Sequence, residues 1–173
     1  MKMKKENGIT MIVLTITIVI MIILAGVTVY YGMGLVQDVK LQDLRTNMML
    51  IQAKAKEYVE EVNFQLVNVT DEDKKSQIKS ENLKGISLTD SSIDSNVLNA
   101  AEATGKIEGE KADYYYLTPE NLNEMGLEDM PTEEYGYFIV KYDIENISVD
   151  VINTKGYRGN YNLEQLNSLT GEE

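Results

Sequence analysis

The sequence predicts an α+β fold: a long amino-terminal α-helix, part transmembrane and part amphipathic, packed on a small antiparallel β-sheet head. Three observations predict it. No residue from Asn7 to Gln37 is charged, while nearly every charge lies before Asn7 or after Asp38. Beyond that run, apolar residues recur at mostly three- and four-residue steps as far as Leu66, the period of a helix with one buried face. Near the carboxyl end, "GYFIVKYD" and "ISVDVI" alternate and are rich in strand formers.

The apolar core covers 9–29, which is 21 residues. That exceeds the roughly 7–15 of a cleaved secretory signal and matches the roughly 20 that cross a bilayer as a helix. Lys2, Lys4 and Lys5 precede it, opposed by Glu6 alone. The positive-inside bias keeps that end in the cytoplasm and sends the rest outside, with Tyr30 and Tyr31 at the far interface. The expected placement is therefore the cytoplasmic membrane, crossed once over 9–31, with an extracytoplasmic head. Over 32–66 the helix continues as an amphipathic one, with Leu35, Val39, Leu44, Met48, Ile51, Ala55, Tyr58, Val62 and Leu66 on its apolar face. Gly26, Gly32 and Gly34 interrupt it, each at about 1 kcal/mol relative to alanine. A bend near 32–34 and plain tolerance of the glycines are both open.

The head is expected over 67–173. Thr70 with Asp73 reads as a helix start, and "TDEDKKSQIKSEN" as a solvated helix or loop. A short helix is expected over 96–104, stopped by Gly105, and "GKIEGEKAD" reads as a linker or turn. "DYYYL" is a strand. "TPENLNEMG" is a short helix, with Thr118 as cap, Pro119 in the first turn and Gly126 as stop. The two later strands form a hairpin through "DIEN", with Ile147, Val149 and Val151 on the buried face of the second. A helix over 162–169 closes the chain.

The composition limits function more than it specifies it. The net charge is −12, which disfavours nucleic acid as a partner. With no cysteine and no histidine, the chain lacks thiolate chemistry, the usual proton shuttle and the commonest metal ligand. No enzyme activity, metal or cofactor is expected. The carboxylates of "TDEDKK" and "GLEDMPTEE" do not follow calcium-loop spacing. "NVT" and "NIS" fit the short N-glycosylation pattern, which arises often by chance.

The junction "KKENG-ITMIVL" resembles the amino-terminal signal of type IV pilins and type II secretion pseudopilins. In that family a short basic leader ends in glycine and is followed by an apolar helix. A membrane aspartyl protease, the prepilin peptidase, cuts after the glycine and methylates the new amino terminus. The resemblance implies a leader over 1–8, recognition through Lys4, Lys5, Gly8 and Thr10, cleavage between Gly8 and Ile9, and methylation of Ile9. The family usually carries a glutamate at the fifth mature position, where this chain has Val13. That departure points to a minor, tip or divergent subunit. The order of "LTPENLNEMGL" and "GYFIVKYD" also resembles heads of pilin-like proteins of low-GC Gram-positive bacteria.

The expected function is that of a structural subunit in a type IV pilus-like or type II secretion pseudopilus filament. The implied partners are the prepilin peptidase, other pilin or pseudopilin subunits, an inner-membrane assembly platform and the membrane itself. Val13, Thr17, Ala25 and Gly26 lie on the expected assembly helix, where small residues permit close approach. The alternative is a single-pass, membrane-anchored extracellular binding module that never polymerises.

Overall fold

The computed structural model describes residues 7–128, 130 and 136–169; over 7–12 and 25–38 it describes the backbone alone. The chain divides into two units, Met1–Lys40 and Leu41–Glu173. Helix α1 runs Asn7–Leu66.

Within the second unit, α1 buries Leu41, Leu44, Met48, Ile51, Ala55, Val59 and Val62. Steps of three and four residues bring all seven onto one face of the helix. That face packs on a five-stranded antiparallel sheet in the order β1-β2-β3-β4-β5. The strands are β1 (Ile86–Ser87), β2 (Tyr114–Leu117), β3 (Phe138–Asp143), β4 (Ser148–Tyr157) and β5 (Asn160–Asn162). The central register pairs Phe138 with Asn153 and Asp143 with Ser148. Because strand side chains alternate, Phe138, Val140 and Tyr142 of β3 and Val149 and Val151 of β4 share the core with α1. Ile139, Ile152 and Tyr114 belong to a second core cluster, with Leu88 and with Val97 and Ala101 of α3 (Ser95–Ala103). The sheet thus carries apolar cover on both faces. Each large side chain fully buried this way is worth about 1.5–3 kcal/mol.

Three further α-helices are described in the unit. In α2 (Glu72–Asn82) no residue is buried, and its cap is Asp71, whose side chain accepts from the N–H groups of Asp73 and Lys74. The expected start at Thr70 is therefore one residue early. Helix α4 (Pro119–Glu124) begins with a capping box between Thr118 and Asn121. Helix α5 (Leu163–Ser168) is capped by Asn162 and buries Leu163 and Leu166. Two amides of α1 bind the hairpin between β3 and β4. Gln52 Nε2 donates to Val149 O at 2.7 Å, and Asn63 Nδ2 donates to Ile144 O at 2.9 Å.

Several expectations are corrected. Val39 is exposed and Tyr58 half-buried, while Leu41 and Val59 take the core positions beside them. Ile147 belongs to the turn, with φ 50, and not to the buried face of β4. Strands β1 and β5 were not anticipated, and β4 extends to Tyr157. The backbone stays helical through Gly26, Gly32 and Gly34. Most consequential, no helix among the described residues is long and apolar enough to cross a membrane. On that finding the transmembrane half of the expected fold is withdrawn, along with the single-pass placement in the cytoplasmic membrane.

Candidate assembly surface

Every residue over 13–24 is exposed, the ten large apolar ones among them by 48–70%. At 100° per residue, twelve consecutive positions circle the helix more than three times. The apolar surface therefore has no polar side, which distinguishes it from the one-sided helix over 41–66. Thr17 does not break it. Its hydroxyl donates to Val13 O at 2.6 Å and Leu14 O at 3.0 Å, so its polar atom is satisfied within the helix.

Of the residues named from sequence, Val13 and Thr17 lie one turn apart on α1, joined by that hydrogen bond. Gly8, Ile9 and Thr10 are consecutive on its backbone, while their side chains, and those around Ala25 and Gly26, lie outside the described residues. Lys4 and Lys5 also lie outside them. The carboxylates of "TDEDKK" sit around the start of α2. Among the described residues no group of three or more carboxylate, histidine or cysteine side chains is placed to hold a metal ion.

The second unit has its own concavities. A groove of about 620 Å³ runs between α1, β4 and the loop before β2, lined by Gln52, Lys106, Glu108, Lys141, Asp150 and Glu164 among others. Lys141 pairs across the strands with Asp150, and its ammonium lies 5.3 Å from the Tyr114 ring centroid. On its wall two lysines, Lys106 and Lys141, are interleaved with three carboxylates, Glu108, Asp150 and Glu164. Elsewhere, Lys84 Nζ meets Glu124 at 2.7 Å, a hydrogen bond that raises the lysine above its ordinary pKa. Burial pushes the Tyr142 phenol up, although its hydroxyl donates to Lys84 O at 2.8 Å. These contacts fasten β3 and α4 to the segment after α2.

A second depression, of about 460 Å³, lies where α1 ends, between Leu66, Val67, Val69 and Ile144. Val67, which lines it, is 69% exposed, and Phe64 of α1 is 81% exposed. The sequence reading missed this patch. The signal was present, since Phe64 falls between Val62 and Leu66, off the buried face, where a polar residue would be expected.

No family model matches the chain, and neither the curated proteins nor the solved structures compared with it provide a match.

Proposed function

We propose that this chain is a structural subunit of a pilus-like or pseudopilus-like helical filament, entering it as a minor or divergent component. The observation that carries the reading is the apolar surface over 13–24, exposed on every side. A partner helix laid along one side covers a stripe roughly 100° wide. Covering the whole circumference takes several neighbours, and identical chains meeting through contacts that do not close form a helical polymer. The junction "KKENG-ITMIVL" supports the same reading, because cleavage after Gly8 would place Ile9 at the tip of that helix. The implied partners are a leader peptidase, other pilin-like subunits and an assembly platform.

Val13 bears on subunit rank. An amine buried without a carboxylate opposite it is unfavourable by several kcal/mol. A neighbouring subunit with a carboxylate at that position can receive the Ile9 amine, whereas this chain returns none. Mixed filaments are therefore favoured over a homopolymer. The test is mass spectrometry of the amino terminus in filament fractions from cells that make the chain naturally. The reading expects a methylated Ile9 start, and Gly8→Leu blocks that cut. An intact Met1 in cells with a working leader peptidase defeats the proposal.

A further inference from the structure

Strand β4 is paired along only part of its outer side. On its inner side β3 pairs with it from Ser148 to Asn153. On the outer side β5 meets it at Ile152 and Tyr157 alone, and the chain then turns into α5 at Leu163. Beside the stretch that β5 leaves, over 148–151, lies the groove of about 620 Å³. Its walls come from both faces of the sheet. Met49, Val151 and Leu163 stand on the face that α1 covers, while Tyr114, Lys141 and Asp150 stand on the opposite one. A hollow bounded by both faces occupies the place of a further strand. Val149 O turns to this side, where it is met at 2.7 Å by the Nε2 of Gln52, a residue that lines the groove. Backbone groups alternate sides along a strand, so those of Val151 turn the same way as those of Val149.

The edge and the walls together identify the occupant. The outer side of β4 already takes one extended segment, Asn160–Asn162, by strand pairing. A second segment in line with it is held through its backbone, as in strand addition. Its side chains alternate between the two faces. Those on one face meet Met49, Val151 and Leu163, and those on the other meet Lys106, Glu108, Lys141 and Asp150. None of these four charges, nor that of Glu164, forms an ion pair with another described residue. A ligand bearing both signs therefore pairs with them without breaking an existing bridge. We propose that this groove binds an extended segment of a separate polypeptide, about four residues long, whose side chains alternate between apolar and charged. The site concerns the head alone and stands or falls apart from the filament reading.

The probe is a capped seven-residue peptide in which valine alternates with lysine and glutamate. It is added to the full chain in detergent and read by hydrogen–deuterium exchange. At about 1 mM it should slow exchange over 148–151 about tenfold, the factor that a Kd of about 0.1 mM gives. The same peptide, methylated on the backbone nitrogens that face β4, should leave the rates unchanged. Lys106→Glu should shift the preference about tenfold toward a peptide with lysine as its only charge and away from one with glutamate. Circular dichroism verifies that this variant is folded. Unchanged rates over 148–151 overturn the proposal. So does equal slowing by the methylated peptide, or slowing confined to 13–24, where any apolar peptide adheres. Two outcomes without peptide give the groove to another occupant and overturn it as well: faster exchange over 148–151 once 170–173 are removed, or rates there that fall as the chain is concentrated.

Discussion

Gly156→Ala is the sharpest test of how β4 joins β5. Gly156 lies in β4 at φ +58, and a Cβ there would stand 2.3 Å from Asn160 O and 2.7 Å from Tyr161 Cδ1. The nearest of these atoms is backbone, so it cannot swing aside as a side chain would. Left-handed backbone costs a residue with a Cβ about 1–2 kcal/mol, and forced overpacking a further 1–3 or so. The expected loss is thus about 2–5 kcal/mol. Gly159, at φ +80 in the same hairpin, is the control, because nothing lies within 4 Å of its Cβ position. Gly159→Ala should show the conformational part alone, about 1–2 kcal/mol. Urea unfolding followed by far-ultraviolet circular dichroism measures both. With a slope of about 1–3 kcal/mol/M, Gly156→Ala should lower the midpoint by about 1 M or more, at unchanged slope. Equal midpoints for the two variants would refute the close approach of β4 and β5 on which the argument stands.

Two further outcomes follow from the core and the turn. Ile51 is fully buried between α1 and the sheet, so Ile51→Ala should destabilise by about 2–5 kcal/mol in the same unfolding assay. The exposed Leu50 beside it should tolerate alanine within about 0.5 kcal/mol. Asp143 accepts from the Asn146 side-chain amide at 2.8 Å and its backbone N–H at 3.0 Å, which holds the carboxyl below its ordinary 3.8. A depressed carboxyl contributes stability that is complete above its unfolded pKa and lost as pH falls through the folded one. Part of the acid lability below about pH 4 should therefore vanish in Asp143→Ala, and an unchanged acid profile would count against that turn.

The head was largely legible from the sequence, for reasons visible at particular residues. Thr118 with Pro119, and the alternation from Phe138 to Tyr142, announce α4 and β3 because caps and strand periodicity are local properties. What escaped was decided by contacts distant in sequence. Val39 and Tyr58 fit the helical period as well as Leu41 and Val59 do, and the sheet selects between them. Strands β1 and β5, of two and three residues, are too short to carry a period and exist through their partners. Ile147 continues an alternating pattern, but the four-residue turn from Ile144 places it in left-handed backbone. On α1 the composition is evident, yet the membrane span inferred from it is not what the described residues support. Of the candidate site, Val13 and Thr17 were named from sequence. Phe64 and Val67 were not, since an unburied apolar residue reveals itself only once the core is known.

The central claim is that the apolar surface over 13–24 is covered on several sides by other subunits. Ile16 and Ile18 project about 200° apart around α1, and both are about half exposed. The full chain carrying a photo-activatable cross-linking residue at Ile16, or separately at Ile18, should therefore be irradiated in cells that assemble it, and its adducts resolved by size under denaturing conditions and identified by mass spectrometry. The account predicts adducts to other filament subunits from both positions. Adducts from one position alone, or from neither, would contradict it.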